Sequence, residues 1–408
     1  MSDIVLLTLT GPDQQGLTAK LSQIMANDAI ELLDIGQSVI HDNVSLGMLV
    51  RLPPDPEAGK IVRDLVFAAD ALGMNLKLNP VGLDAYQAWV AEQGQQRHVI
   101  TLLTHRLQAD HLAALSHIIY GQGLNIENIS RLTGRVDLQQ EQSDGKACIE
   151  LTLAGSPKSD KEMRAELLQI SAQMGVDIAF QEDNIWRRSR RLVVFDMDST
   201  LIEQEVIDEL AIEAGVGEQV AEITEAAMRG ELEFQDSFRR RLALLKGLDA
   251  QVLETIAQRL RVTEGAERLV RTLKAQGYKT AILSGGFDYF GRYLQQKLGI
   301  DEVHANQLQI LDGKVTGEVQ GEIVDGQRKA WLLKELARRE GLSLQQVIAV
   351  GDGANDLPML SIAGLGIAFR AKPIVKQSAK QAISNHGLDG ILYLLGHRDR
   401  DDHELARS

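Results

Sequence analysis

The chain has 408 residues, 44% of them hydrophobic, and its 57 Asp and Glu outnumber 43 Lys and Arg for a net charge of −14. That length exceeds one ordinary core, so two or three domains are expected, and the acidic balance argues against a nucleic-acid partner, whose phosphates are held by clustered Lys and Arg. A single cysteine, Cys148, excludes an intrachain disulfide and suits a reducing cytosol. Met1-Ser2-Asp3-Ile4 lacks the basic and apolar regions of a secretion signal, and no apolar run approaches the ~18 residues that span a bilayer, so a cytoplasmic protein without a membrane partner is expected.

In chain order, residues 3–10 read as a strand, broken by Gly11-Pro12-Asp13-Gln14-Gln15-Gly16 before a helix bearing Leu17, Leu21, Ile24 and Met25. Strands near 30–40 and 46–52, a helix near 60–72 and a short strand near 75–78 complete a βαββαβ unit. The unit recurs 94 residues later, setting Thr10 on Thr104, Leu21 on Leu115, Ile24 on Ile118 and Ile35 on Ile129. This second copy closes with a strand over 147–153, a helix over 161–174 and a strand over 176–180. The polar stretch 87–96, containing Gly94, is expected to connect the copies.

Residues 181–190 are polar and lead into Arg187, Arg188, Arg190 and Arg191, which in an acidic chain read as a solvated linker or a partner for the acidic surface. The next run, Leu192-Val193-Val194-Phe195, is wholly apolar, as expected of a strand buried on both faces in a parallel sheet. Asp196 and Asp198 follow it, two residues apart and able to address one crevice beyond the strand's carboxyl end, where open α/β sheets bind ligands. Carboxylates this close repel unless a proton or cation intervenes, and a hard oxygen-seeking ion such as Mg²⁺ suits them.

Residues 203–246 carry Val206, Leu210, Val220, Ile223, Met228, Phe234, Phe238 and Leu242 at helical spacing. A helical insert leaving the sheet directly after the Asp pair would sit over the crevice and exclude water from it. Alternation then resumes with a helix over 265–276, a strand over 279–283, the turn Ser284-Gly285-Gly286 and a helix over 289–298. A hairpin over 303–324 turning at Asp312-Gly313, a helix over 328–340, a strand over 346–350 and the turn Gly351-Asp352-Gly353-Ala354-Asn355-Asp356 follow, with further α/β units to 383. Singly these groups say little, because D-x-D also occurs in glycosyltransferases and Ser-Gly-Gly or Gly-Asp-Gly often only reverses the chain. Together they say more: the Asp, Ser and Asp groups each follow a buried strand, and parallel strands bring their carboxyl ends to one edge.

Two resemblances extend this reading. The paired βαββαβ units, with Gly11 to Leu17 at the first strand-to-helix turn, resemble tandem ACT domains, ferredoxin-like modules that often bind amino acids and regulate attached enzymes. In the second copy the corresponding turn is His105-Arg106-Leu107-Gln108-Ala109-Asp110, without glycine. The resemblance therefore implies L-serine regulation near Gly16 in the first copy, and packing or homodimer formation for the second. Residues 191–390 resemble the haloacid dehalogenase superfamily of phosphotransferases, with Asp196-Met197-Asp198-Ser199-Thr200, Ser284, Lys329 and Gly351–Asp356 as its four motifs. Glu205, the stretch from Ala227 to Phe234, and Arg241 are similar to the cap of the phosphoserine phosphatase family, although Glu264 stands where that family commonly has proline.

The implied architecture is a Rossmann-like, doubly wound parallel sheet over 190–396 with a helical cap at about 203–262, preceded by two α+β ferredoxin-like modules at 1–86 and 97–182. The implied reaction is hydrolysis of O-phospho-L-serine, the last step of serine synthesis. Asp196 would be the nucleophile, Asp198 the general acid and base, and Lys329 the neutraliser of phosphoryl charge. Mg²⁺ would be held by the Asp196 carboxylate, the Asp198 backbone carbonyl and Asp352, with Asn355 and Asp356 orienting the lysine and the ion's waters. Ser284 and the Gly285 N–H would take phosphate oxygens, Glu205 the substrate ammonium, Arg241 its carboxylate, and Met228 and Phe234 would wall the pocket. From the residues alone, Glu205 reads sooner as a first-turn helix acid and Arg241 as a solvated member of Arg239-Arg240-Arg241, and it is the resemblance that turns both toward substrate. Two other functions fit the residues: a phosphatase or phosphotransferase for another small phosphorylated metabolite, and an amino-acid sensor with an inactive phosphatase region.

Overall fold

A computed structural model describes residues 3–54, 57–135, 145–229 and 231–405. The chain forms two compact units, 1–95 and 96–408. Among the described residues no helix is long and apolar enough to cross a membrane.

The first unit runs β1 (Asp3–Pro12), α1 (Leu17–Asn27), β2 (Glu31–Ile40), β3 (Asn43–Leu52), α2 (Glu57–Ala71), β4 (Asn75–Val81) and α3 (Leu83–Ala91). Its four-stranded antiparallel sheet has the order β2-β3-β1-β4. Alternate residues Val5, Leu7 and Leu9 of β1 face Leu17, Leu21 and Met25 of α1 and Ile61, Leu65 and Ala69 of α2, so the period-2 face of a strand meets the four-residue stripes of two helices. Gly16 opens α1 at φ 86, a backbone conformation that a side chain would oppose. The stretch expected to be a plain connection is in part α3, a helix of good helix formers with no buried residue, which is why apolar periodicity passed over it.

The second unit begins with the same module: β5 (Arg97–Thr104), α4 (Ala109–Gly121), β6 (Asn125–Arg131), β7 (Ala147–Ala154), α5 (Asp160–Met174) and β8 (Asp177–Glu182), in the sheet order β6-β7-β5-β8. A seven-stranded sheet follows. Its elements are β9 (Leu192–Phe195), the insert helices α6 (Val206–Glu213), α7 (Gly217–Met228), α8 (Phe234–Ala243) and α9 (Val252–Arg259), then α10 (Ala266–Ala275), β10 (Lys279–Phe287), α11 (Asp288–Leu298), β11 (Glu302–Leu311), β12 (Lys314–Gln320), α12 (Gly326–Arg339), β13 (Val347–Gly351), α13 (Leu357–Ile362), β14 (Leu365–Phe369), α14 (Pro373–Ser378), β15 (Gln381–Ile383), α15 (Gly390–Leu394) and α16 (Asp399–Leu405).

Strand order is β12-β11-β10-β9-β13-β14-β15, parallel throughout except for the hairpin strand β12. β9 is central, with Val193 and Phe195 packing into one core layer and Leu192 and Val194 into the other. A two-sided core explains the unbroken apolar run. The insert leaves and rejoins the sheet at a stem where Ile202 pairs antiparallel with Val262.

The second module docks on the far edge of this sheet. The Gln381 side-chain amide receives the Phe180 N–H (2.9 Å) and donates to the Phe180 carbonyl (2.5 Å), standing in for a peptide of a neighbouring strand. Asp177 accepts the Ser384 N–H at 2.7 Å and lies 2.7 Å from His386 Nδ1. Buried Asp389 takes Lys146 at 2.7 Å from the module and Arg268 at 2.8 Å from α10. Burial pushes the Asp389 carboxyl pKa up, but the two cations outweigh it and hold the pKa below its ordinary 3.8.

Replacing Asp389 with Ala removes the buried carboxylate that Lys146 and Arg268 share, leaving Arg268 to Asp402 and Asp399 and Lys146 to Glu264 at 3.9 Å. We expect a loss of about 2 kcal/mol, read as a lower thermal-unfolding midpoint of the full chain at pH 7. A depressed folded pKa means that the wild-type contribution is present above the ordinary value and lost as pH falls below 3.8, so acid should close the gap between the two proteins.

Candidate active site

The carboxyl ends of β9, β10 and β13, with the start of α12, bring the chemistry together. After β9, Asp196 accepts the Met197 N–H on Oδ1 at 2.8 Å, and the chain then turns sharply, with Ser199 at φ 55. This turn returns Asp198 to the same crevice, where it accepts the Val206 N–H of α6 at 3.3 Å. Ser199 Oγ donates to Glu205 at 2.8 Å, so one tight loop fixes both aspartates and an acid at the start of the insert.

At the end of β10, fully buried Ser284 accepts the Gly286 N–H at 2.9 Å. Gly286 is required by space: a Cβ there would lie 2.5 Å from Asp198 Oδ2, 2.7 Å from Met197 Cε and 3.2 Å from Ser284 Oγ. Phe234, at the start of α8, reaches to 3.4 Å from where a Gly285 Cβ would stand, which brings the insert against the Ser284 turn.

The turn after β13 is built on Asp356, whose Oδ2 accepts the N–H groups of Asp352 (3.1 Å) and Gly353 (3.0 Å). Its Oδ1 meets Lys329 Nζ at 2.7 Å, and the same ammonium lies 2.7 Å from Asp196 Oδ1. Lys329 and Asp356 are 0% exposed, so both ions rely on protein partners in place of water. Thr200 Oγ donates to Asp352 at 3.3 Å.

Asp196, Asp352 and Asp356 offer oxygens that all lie within 4.8 Å of one another. Three carboxylates against one ammonium leave two negative charges uncompensated, and Asp198 and Glu205 stand beside them. Burial, then the Asp356 charge, raises the Asp196 pKa well above the ordinary carboxylate range even with Lys329 in contact. Burial, then Asp356 and Glu205, pushes Asp352 up to about 7. Burial, then Glu205 and Asp196, raises Asp198. The Lys329 pKa is raised as well, which here favours the charged form: burial opposes its charge, but the carboxylates beside it prevail. This donor set, hard oxygens with excess negative charge, fits a divalent cation.

The structure thus gathers Asp196, Asp198, Ser284, Gly285, Lys329 and Asp352, and joins Glu205 and Phe234 to them. Arg241 is half-buried on α8, within 3.5 Å of Thr224 Oγ, and burial lowers its pKa against the pull of Asp208 and Glu205. It is therefore no solvated member of an arginine run. Asn355 lies on the Asp352 turn, its backbone against Gly326 at the start of α12. The Met228 side chain lies outside the described residues. Asp356, read from the sequence as an orienting residue, supplies a carboxylate to the central cluster, whereas the Asp198 side chain does not belong to it. Ser199 and Thr200 were given no role from sequence, although their place inside the Asp196–Thr200 motif was the available signal.

Residues 193–361 match the haloacid dehalogenase-like hydrolases, and residues 3–79 and 96–181 each match the ACT domain. The chain is 40% identical over 393 residues to a phosphoserine phosphatase of Streptomyces coelicolor, covering 96% of this chain and 92% of that protein. The chain belongs to the phosphoserine phosphatase family. It is also 39% identical to phosphoserine phosphatase SerB2 of Mycobacterium tuberculosis, with 96% of this chain and 93% of that protein covered. Among solved structures, a haloacid dehalogenase family hydrolase from Salmonella enterica serovar Typhi superposes with a TM-score of 0.63 at 31% identity, covering 73% of this chain and 98% of that one. In this phosphatase, Gly286→Ala should displace Asp198 and Ser284 together, lowering the rate of phosphate-ester hydrolysis by about 10²-fold while circular dichroism remains that of the folded chain.

Proposed function

We propose that this enzyme hydrolyses O-phospho-L-serine to L-serine and phosphate through an aspartyl phosphate on Asp196. The observation that supports it best is the single buried ammonium of Lys329 bridging Asp196 and Asp356 beside Asp352, a site with surplus negative charge at the mouth of a two-sided sheet. Family membership adds the substrate. Asp196 attacks phosphorus as the bond to the serine oxygen breaks, and Asp198, whose raised pKa lets it keep a proton, protonates that oxygen. Water then attacks the acyl phosphate and yields a proton to Asp198, which restores both aspartates. Ser284 and the Gly285 N–H hold phosphate oxygens, and Lys329 offsets charge on the transferring group.

Mg²⁺ would be held by Asp196 and Asp352 with the Asp198 backbone carbonyl, and Asp356 would complete the carboxylate cluster; bound there, it would draw charge from a phosphate oxygen. Glu205 and Arg241 meet the substrate's ammonium and carboxylate, with Met228 and Phe234 as walls and Asn355 supporting the lysine turn. We assign catalysis to residues 190–396, with the cap at 203–262, and the ACT modules to 1–86 and 97–182. The protein acts in the cytoplasm as a homodimer, and the first module takes L-serine as a regulator.

Phosphate release from O-phospho-L-serine should stop on adding a chelator and return with Mg²⁺, and should exceed release from sugar phosphates. Asp196→Asn should abolish a radiolabelled phosphoenzyme and lower kcat by at least ~10³-fold. A sugar phosphate as the better substrate would displace this reading in favour of another metabolite phosphatase. Titrating L-serine into the full chain should give saturable heat that is lost in a Gly16→Val variant, because a branched side chain resists the left-handed backbone there.

A further inference from the structure

The first turns of two helices face each other across the crevice. Cap helix α8 begins at Phe234 and carries Arg241; core helix α12 begins at Gly326 and carries Lys329 in its first turn. Asp325, which caps α12, stands between them. Its Oδ1 accepts the Arg328 N–H at 2.9 Å, its carbonyl accepts the Lys329 N–H at 2.8 Å, and its Oδ2 accepts Gln235 Nε2 of the cap at 2.7 Å. A single carboxylate therefore starts the lysine helix with one oxygen and grips the cap with the other.

The core side of this grip is held firmly. Val324, the preceding residue, donates its N–H to Asn306 Oδ1 at 2.8 Å, and Asn306 Nδ2 donates to the Gly285 carbonyl at 2.7 Å. Asn306 is 1% exposed, so water does not compete for its amide. Phe234, next to Gln235, returns to the Gly285 turn and closes a ring that joins cap, phosphate turn and lysine helix. On the outer side, Gln235 and Asp325 line a groove of about 1160 Å³ with Arg239, Arg328 and Trp331. Water can reach the Gln235 bond there.

We propose that Gln235 is a positioning residue that latches the closed cap to the Asp325 cap of the lysine helix. It touches no reacting atom. The latch selects for substrates that need the cap: an amino-acid ester meets Glu205 and Arg241, whereas a flat aryl phosphate requires only the phosphate turn and the aspartates. The proposal rests on the phosphoserine reading above.

The test compares wild type, Gln235→Leu and Gln235→Lys on O-phospho-L-serine and on p-nitrophenyl phosphate. Gln235→Leu keeps the side-chain bulk and removes the donor, so kcat/KM for O-phospho-L-serine should fall about tenfold, the value of one charge-assisted hydrogen bond at a partly wet site. Its rate on p-nitrophenyl phosphate and its melting midpoint should stay at wild-type values. Gln235→Lys supplies a cationic donor to Asp325 and should recover most of the loss. Equal losses on both esters would reduce Gln235 to a packing residue, and unchanged kinetics on O-phospho-L-serine would eliminate the latch; either overturns the proposal. A wild type that does not prefer O-phospho-L-serine overturns the substrate reading, and the latch falls with it, an outcome seen before any variant is assayed.

Discussion

One ammonium among three carboxylates, two buried and one half-buried, is the constraint on which this active site depends. Lys329 cannot neutralise Asp196, Asp352 and Asp356 together, and at 0% exposure it has no solvent to share the charge. Burial first, and then the neighbouring negative charge, keeps pKa values high at Asp196, Asp198 and Asp352, which is the condition under which one aspartate can hold a proton beside another that is ionised. A divalent ion and a phosphate dianion entering together would change the local charge little, so substrate and ion can replace one another's counter-charge. The scaffold accepts this imbalance because the surrounding strands are packed on both faces and Asp356 is pinned by two backbone N–H groups.

The same constraint accounts for the close backbone packing around the site. Gly286 has no room for a methyl group because Asp198 and Ser284 occupy that volume, and Ser199 adopts a left-handed conformation so that the loop after β9 can turn back within a few residues. Ser199 and Thr200 then use their hydroxyls on Glu205 and Asp352, linking the first motif to the cap on one side and to the last motif on the other. The short Asp196–Thr200 run is thus a junction: its acids face the crevice and its hydroxyls align neighbours.

Much of this was legible in the sequence because each layer leaves its own pattern. The unbroken Leu192–Phe195 run reports two-sided burial, the alternation in β1 reports a one-sided sheet, and Asp312-Gly313 reports a hairpin whose two turn residues do take positive φ. Helix α3 escaped because it buries nothing, and periodicity reports only burial. Asp356 was legible as a partner of the lysine, which it meets at 2.7 Å, but its place in the carboxylate cluster was not. Its spacing from Asp352 says that both lie on one turn, and only the folded chain brings its carboxylate beside Asp196 while it also holds the turn's own backbone. The Gln235 to Asp325 bond joins positions whose distance along the chain carries no signal, and neither residue type is unusual where it stands.

The docked second module and the cap stem share one piece of backbone, and Glu264 is at its centre. The segment that Asp177 grips at Ser384 and Asn385 continues to Leu388, whose N–H reaches the Glu264 carbonyl at 2.8 Å. The next residue back, Thr263, donates to the Leu201 carbonyl at 2.9 Å, beside the Ile202 to Val262 pair through which the cap leaves the sheet. Glu264 also reaches Arg370 at the end of β14 with its side chain, at 3.1 Å. A proline here could accept the Leu388 bond through its carbonyl, but it could not reach Arg370. Glu264 therefore adds an ion pair at the point where module, core and cap stem meet. At 60% side-chain exposure this pair contributes little energy, so the backbone bonds of Thr263 and Leu388 hold the junction.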